Sequence, residues 1–287
     1  MLFTKWPFRA HPMSKYAQRL NEHLARYKAR RLGSLEPGTF TYRGDTRSYE
    51  HILPKDQQWL NLLEPFRADM RDYLEGERST IKLHRYFHHL NSSQAFALNL
   101  FFPFFAKGGA SQLLAALGSD GSLSSWEPEC IVDENEGTNV DVTWISGGVR
   151  TYCEVKLSEQ EFGTAKDDDR HREKLERIYR PCLTSTFSPD LLQPEAFFRN
   201  YQLLRNVWLI AREPGARLVF LAPRANTTIW RQLSSFLGML PNAIATRVRV
   251  VAMEDVLESL TAADDLPAAL RGYGEVLREK YVLQEAA

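Results

Sequence analysis

The chain has 287 residues and a mass of 33.0 kDa, which is room for one large domain or two small ones. Hydrophobic residues make up 44% and charged residues 25%, proportions that exclude a disordered chain. Lysine plus arginine (36) equals aspartate plus glutamate (36), so no global charge attracts the protein to nucleic acid or to a membrane, and any basic binding surface must be local.

Cysteine usage and hydropathy predict a cytoplasmic protein. Cys130, Cys153 and Cys182 are odd in number and lack C-x-x-C spacing, which favours a reducing compartment over a disulfide framework or a cysteine zinc site. The longest apolar run, Ala95–Ala106, is shorter than the roughly 20 residues of a membrane span. Met1–Pro12 has no continuous apolar stretch, so no secretory signal is expected.

The first part of the chain is predicted to be helical. Apolar residues three or four apart predict a helix over Ser14–Arg31, and the same spacing returns over Lys55–Leu74 after the polar, turn-rich stretch Thr39–Tyr49. The first helix is strongly basic, with Glu22 as its single acid. Its basic residues either form a solvated face or contact a phosphate backbone. The candidate phosphate-binding residues are Arg26, Lys28, Arg30 and Arg31.

The next segment combines histidines with a helix start. His84 and His88 are four residues apart, a spacing that on a helix puts two imidazoles on one face as zinc ligands, but no nearby Glu or Cys completes such a site. Asn91–Ser93 is typical of an N-cap. It precedes a helix predicted over Gln94–Phe102 and interrupted at Pro103.

The remaining sequence alternates between strands and helices. After the Gly- and Ser-rich break Gly118–Glu127, the stretch Glu129–Leu157 has the two-residue period of strands. The later predicted elements are helices over Pro194–Ala211, Thr227–Leu237 and Glu254–Leu260 and strands over Arg217–Ala222 and Thr246–Ala252. This order predicts an α/β fold whose mixed sheet is covered by helices on both faces. We expect a helical N-terminal extension over residues 1–82 and the sheet-containing core over residues 83–287.

A hairpin is the most informative local signal. Two alternating runs, Thr138–Ser146 and Val149–Leu157, flank the Gly-Gly pair at 147–148. Glycine tolerates the positive φ of the tight primed turns, so this pair predicts a two-residue hairpin in which Ser146 faces Val149.

That register sets Asp141 opposite Glu154 and places Lys156 two residues further along the same face. The opposite face is predicted to be apolar and to contain Val140, Val142, Trp144, Cys153 and Val155. Two opposed carboxylates destabilise a strand pair unless something compensates their charge, and a bound Mg²⁺ would do so. A lysine beside them can orient or deprotonate an attacking water, or stabilise the charge that builds on a phosphate. The alternative is a solvated face in which the lysine neutralises one acid.

These residues resemble a known superfamily. Asp141 followed by Glu154-Val155-Lys156 on the next strand is similar to the PD-(D/E)XK nucleases, which share the restriction-endonuclease-like fold. Val140 stands where the signature has its proline. The run 153–163, together with the polar residues at 91–94 and Asn99 upstream, is similar to a family of bacterial proteins classed as restriction endonucleases. The resemblance covers roughly residues 83–260.

The resemblance implies a Mg²⁺-dependent DNA endonuclease in which Mn²⁺ substitutes for Mg²⁺. By that resemblance, the carboxylates of Asp141 and Glu154 and the carbonyl oxygen of Val155 are the metal ligands, and Lys156 is the catalytic lysine. Many relatives carry a glutamate on the first core helix, where this chain has Gln94. That glutamine either takes part in metal binding or caps its helix.

The superfamily also often brings a polar residue to the site from a later helix, and Gln202 on the predicted helix Pro194–Ala211 is the candidate here, the alternative being that it lies on an exposed face of that helix. The alternatives are a repair or recombination nuclease, a nuclease that acts on RNA, a catalytically silent nucleic-acid-binding module, and an unrelated α/β protein. The sequence leaves open a homodimer and does not identify a recognition site.

Overall fold

The computed structural model describes residues 13–33, 35–42, 44–78, 81–137 and 139–283. Met1–Pro12, on which the expectation about a secretory signal depends, lies outside them. In the described residues the chain forms twelve α-helices, a five-stranded mixed sheet and a two-stranded antiparallel sheet. The predicted α/β class with a mixed sheet flanked by helices is confirmed, and the architecture is consistent with a nuclease-like fold.

The strands, in chain order, are β1 Gly38–Tyr42, β2 Asp45–Tyr49, β3 Leu123–Ile131, β4 Asn139–Ser146, β5 Val149–Val155, β6 Arg217–Ala222 and β7 Val248–Ala252. The helices are α1 Lys15–Arg31, α2 Arg67–Glu75, α3 Ser93–Ala106, α4 Ala110–Leu117, α5 Asp169–Lys174, α6 Arg180–Leu183, α7 Pro194–Arg199, α8 Tyr201–Arg212, α9 Thr227–Leu237, α10 Asn242–Ala245, α11 Met253–Thr261 and α12 Ala268–Tyr281. A 3₁₀ helix covers Lys55–Asn61, and a π-helical turn covers Leu175–Tyr179.

The large sheet has the strand order β3-β4-β5-β6-β7. Strands β3, β4 and β5 pair antiparallel, whereas β5, β6 and β7 pair parallel. Parallel neighbours need a crossover connection, and the helices α5–α8 and then α9–α10 provide the two crossovers. Because helices cover both faces, β6 is buried at every position after its first residue.

The Gly-Gly turn sets the predicted register as far as Val142, and the predicted pairing of Asp141 opposite Glu154 does not occur, because the ladder ends before it. Gly147 and Gly148 have φ values of 54° and 77°, and the β4–β5 pairing runs from Ser146 opposite Val149 to Val142 opposite Cys153. The prediction that Val140 shares an apolar face with Val142 is wrong. Val140 packs with the apolar cluster on the other side of the sheet, and it lies beyond Val142, where the pairing of β4 with β5 ends.

Two hydrophobic clusters hold the helices on the sheet. The cluster on one face of the sheet includes residues of α1, α2, α3, α4, α11 and α12, and the cluster on the other face includes residues of α6–α10. Helix α3 is buried on all sides, as its apolar composition requires. The predicted interruption at Pro103 does not occur. A proline inside a helix costs ~3 kcal/mol, and complete burial of neighbouring Phe101 and Phe104 offsets that cost.

Three predicted segments differ from the structure. The turn-rich stretch Thr39–Tyr49 is the β1–β2 hairpin. The predicted helix Lys55–Leu74 breaks into the 3₁₀ helix and α2, because Pro65 lacks an N–H and disfavours helical geometry at the residue before it. The predicted helix Pro194–Ala211 divides into α7 and α8 at Asn200.

The helical first part of the chain shares a core with the sheet. Leu20 and Leu24 of α1 belong to the same apolar cluster as Val142 of β4 and Leu277 of α12. The division at residues 82 and 83 stays a prediction, and the chain ends 1–12 and 284–287 lie outside the described residues. Within the described part of the chain, no helix is both long enough and apolar enough to cross a membrane.

Candidate active site

The candidate site lies where β5 ends beside β4 and β6. Glu154 is the penultimate residue of β5, Lys156 follows the strand, and Asp141 lies on the adjacent β4. Strand β5 also pairs parallel with β6, and Lys156 N–H donates to Leu221 O to extend that pairing. The carboxyl ends of parallel strands are a common place for ligand sites in α/β proteins.

Glu154 is a buried carboxylate held by four side chains. Its Oε1 accepts from Gln202 Nε2 at 2.5 Å and lies 3.1 Å from Lys156 Nζ. Its Oε2 accepts from Asn206 Nδ2 at 2.9 Å and lies 3.7 Å from an Arg205 nitrogen. Burial raises the pKa of Glu154, but the charges of Lys156 and Arg205 outweigh burial and hold the pKa below its ordinary value.

Gln202 fixes the lysine as well as the glutamate. Its Oε1 accepts from Lys156 Nζ at 3.0 Å and from Gly163 N–H at 2.7 Å. Because the helix breaks at Asn200, the Gln202 N–H is free to donate to Gly163 O, and this hydrogen bond holds Gln202 beside Gly163. Burial lowers the pKa of Lys156, but Glu154 and Glu159 outweigh burial and raise it, so the lysine is an ammonium.

Asp141 is electrostatically different from Glu154. Its Oδ2 accepts from Val155 N–H at 2.7 Å, and among the described residues it has no ion pair. Burial, followed by the charges of Glu154 and Glu129, raises its pKa well above the ordinary range. Its side chain lines a cleft of about 740 Å³. The structure therefore brings Asp141, Glu154 and Lys156 together, and their roles stay predictions.

The donor set fits a hard divalent cation. In the described ranges, no three His, Cys, Asp or Glu side chains gather as a ready metal site. Mg²⁺ usually needs only one or two carboxylates, with water and substrate phosphate completing its shell. Asp141 supplies a carboxylate that lacks a compensating cation, while Glu154 and the Val155 carbonyl lie on the adjacent strand. Burial, and then repulsion by Glu154 and Glu129, raises the pKa of Asp141, and a cation there would favour its ionised form.

Gln94 lines the same cleft but is engaged with protein. Its Oε1 accepts from His84 N–H at 2.8 Å, and its Nε2 donates to Lys82 O at 3.3 Å. The N-cap of α3 is Ser92, whose hydroxyl accepts from Ala95 N–H, so the capping interpretation of Gln94 is wrong. Its part in metal binding stays a prediction.

Sequence reasoning missed three polar residues at the site. Glu129 on β3 lines the cleft and has φ 52°, a conformation that a residue with a side chain rarely adopts. Arg205 and Asn206 approach Glu154 from α8. A signal for Asn206 was present, because it lies one helical turn after Gln202 on a predicted helix. Nothing in the sequence marks the unusual backbone of Glu129.

The basic residues of α1 divide into buried and exposed groups. Lys28 is only 3% exposed, and its ammonium donates to Glu36 O and Ile52 O, so it is not available to a phosphate, contrary to prediction. Arg30 and Arg31 are exposed and pair with Glu279 of α12. Arg26 is also exposed, and its contact with DNA stays a prediction.

The two histidines weighed as zinc ligands do not converge. Residues 85–88 form turns rather than the helix that the i, i+4 pairing requires. His84 lines the cleft beside Gln94, whereas His88 lines a separate pocket near Pro54 and Arg85.

The fold is consistent with a nuclease-like α/β protein, and comparison with known proteins identifies the family. A family model described as "Restriction Endonuclease associating with ARP" matches residues 21–282. The chain belongs to this restriction endonuclease family, and membership supports a nuclease role. No curated protein and no solved structure gives a significant match.

His89 lines the same cleft as Asp141, and its burial predicts how the stability of the protein depends on pH. Burial, then nearby histidines, lowers the pKa of His89 to about 3. Between that value and the ordinary 6.5, the unfolded chain binds a proton that the folded chain does not, so falling pH favours unfolding. His89→Phe should therefore flatten the dependence of the unfolding free energy on pH between about 4 and 6, by up to about 1.4 kcal/mol per pH unit. Urea denaturation across this range measures the slope.

Tyr49→Phe is the matched control, because Tyr49 lines the same cleft and the change leaves every imidazole in place. Its slope should equal that of the wild type. A His89→Phe slope equal to that of the wild type would show that His89 protonates equally in both states.

Proposed function

We propose that the protein is a metal-dependent DNA endonuclease that hydrolyses phosphodiester bonds. The observation that carries the proposal is the Glu154–Lys156–Gln202 cluster beside Asp141 at the end of β5. Membership of a restriction endonuclease family supports the same chemistry and a DNA substrate. A restriction-type enzyme is the form that we favour.

Each residue has a distinct part in this mechanism. A bound Mg²⁺ would neutralise the charge that develops on the phosphate. Asp141, Glu154 and the Val155 carbonyl would hold it. Lys156, as an ammonium, donates a hydrogen bond to the attacking water or to a phosphate oxygen, and Gln202 fixes the direction of that lysine.

A catalytically silent module is the competing proposal, and the geometry argues against it. A buried lysine and a buried glutamate that are only 9% and 4% exposed are costly to maintain, because both charges lose their hydration. Four side chains converge on Glu154 to compensate that cost. Such an arrangement is typical of active sites, where charged groups are fixed in advance of the reaction.

The metal assignment predicts a loss of binding in Asp141→Asn. This change removes the carboxylate that has no ion pair among the described residues, while keeping its shape and its acceptor for Val155 N–H. Calorimetric titration with Mn²⁺ should show a site in the wild type and at least about a tenfold weaker one in the variant, because a charged ligand becomes neutral.

Asp45→Asn is the matched control, since Asp45 lies on the exposed β1–β2 hairpin and pairs with Arg47. Its titration should match the wild type. Equal Mn²⁺ affinity in Asp141→Asn and the wild type would place any metal elsewhere.

The catalytic assignment predicts that Lys156→Ala abolishes cleavage. The variant loses the ammonium that faces the phosphate but keeps both carboxylates, so binding of DNA and of Mn²⁺ should persist. A fall in single-turnover rate of about 10²-fold or more on unmethylated plasmid is expected from the loss of one charge-stabilising group.

Lys107→Ala tests whether loss of any lysine has this effect, because Lys107 pairs with Asp69 at the far end of α3. That variant should cut at the wild-type rate. Cleavage by Lys156→Ala at the wild-type rate would remove the proposed mechanism.

The beginning of α1 is the better candidate for contact with DNA phosphates. Lys15 and Arg19 are exposed and line a small pocket with the start of α9. In the same pocket, Asn226 donates to the carbonyls of Leu157 and Glu159, directly after the catalytic lysine. Phosphates bound there would lie close to the site.

A double variant, Lys15→Gln with Arg19→Gln, should therefore flatten the slope of log affinity against log salt by up to about 0.9 per lost phosphate contact. The matched control is Arg30→Gln with Arg31→Gln, whose guanidinium groups pair with Glu279. Fluorescence anisotropy over a salt series measures both slopes. If the control rather than the first pair flattens the slope, the DNA path follows the end of α1, as the sequence predicted.

A further inference from the structure

The cleft that begins at Asp141 has a second half with different chemistry. One half is acidic and contains Asp141, Glu129 and Glu159. The other half is lined by rings, mainly from the β1–β2 hairpin and the turn before α3. The rings are Phe40, Tyr49, His51, His84, Tyr86 and His89. At about 740 Å³ the cleft lies within the roughly 300–1,000 Å³ of small-ligand sites.

The rings contact one another as a continuous wall. Phe40 and Tyr86 have centroids 5.2 Å apart, and Tyr86 and His89 have centroids 4.9 Å apart. Neither Phe40 nor Tyr86 belongs to the two hydrophobic clusters of the fold, and both are partly exposed. Packing of the core therefore does not account for this wall.

The wall also contains a buried imidazole nitrogen that has no hydrogen-bond partner in the part of the chain that the structure describes. His89 is only 9% exposed, and within the described residues its Nε2 has no hydrogen-bond partner. Burial lowers the pKa of His51 to about 4 and that of His89 to about 3, so both rings are neutral at physiological pH. A base that stacks on the wall therefore meets no charge from these two rings.

The two halves are joined through Gln94. Its side chain accepts from His84 N–H beside the ring wall and also hydrogen-bonds with Glu129 in the acidic half. A ligand with an anionic and an aromatic part can therefore span both halves, with its phosphate toward the catalytic residues.

We propose that the ring wall binds an unpaired nucleobase of the DNA, next to the phosphate that is cleaved. This inference rests on the proposed nuclease function. Stacking on aromatic side chains accepts any base, and paired bases in a duplex have their faces covered, so the wall selects a base that is single-stranded or extruded from the helix. Loss of one stacking ring should weaken binding by about 5- to 150-fold.

The experiment compares DNA strands that share a backbone and differ in their bases. Binding to the cleavage-deficient Lys156→Ala protein in Mg²⁺ is measured for a thymidine oligonucleotide and for the same strand with abasic sites. On that background, Tyr86→Ala removes a ring of the wall, and Tyr86→Phe keeps the ring. A paired duplex and a duplex with one central mismatch distinguish the two sources of an unpaired base.

Tighter binding of the thymidine strand, lost in Tyr86→Ala and kept in Tyr86→Phe, is the expected result. Preference for the single strand over both duplexes indicates a single-stranded substrate, and preference for the mismatched duplex over the paired one indicates an extruded base. Equal binding of the thymidine and abasic strands would overturn the inference and leave the nuclease proposal intact. So would a preference for the thymidine strand that persists both in Tyr86→Ala and in His84→Ala, a second variant that removes a ring of the wall. Failure to bind any of these DNAs would overturn both.

Discussion

The site depends on one buried charge, the Glu154 carboxylate inside the sheet. An ionised carboxylate that loses its hydration is stable only if protein groups replace the water. Lys156 and Gln202 contact one of its oxygens, and Asn206 and Arg205 approach the other. These interactions join the end of β5, which carries Glu154, to the helix α8, which carries Gln202, Arg205 and Asn206.

The irregular features of the fold are concentrated around that charge. The break between α7 and α8 frees the Gln202 N–H to bond with Gly163 O, and so turns the glutamine toward Glu154. On the other side, β4 leaves the ladder with β5, and the Asp141 carboxylate takes the Val155 N–H. In both places a backbone N–H that has no partner in a regular helix or strand pair forms a hydrogen bond at the site. The positive φ of Glu129 is a further irregularity nearby.

Local rules predicted the parts of the molecule that are decided locally. The Gly-Gly pair predicted the hairpin register, and the strand β6 and the helix α9 match their predicted bounds. Residues whose placement depends on distant parts of the chain were not predictable. The Lys28 ammonium is buried and donates hydrogen bonds to the carbonyls of Glu36 and Ile52. The Gln94 side chain accepts a hydrogen bond from the backbone N–H of His84. Spacing along a helix identifies a face but not what packs against it.

The charge balance of the protein explains why a polyanion would need help to bind here. The net charge is zero, and the cleft contains the carboxylates of Asp141, Glu129 and Glu159, beside which the proposed function puts a phosphate. Without a compensating cation, these acids would repel the phosphate that Lys156 contacts in the proposed mechanism. The uncharged ring wall has no such conflict, because stacking does not depend on charge. In the proposed mechanism, separation of the cleft into an acidic half and an aromatic half would let one half hold a base while the other half holds the metal and the phosphate.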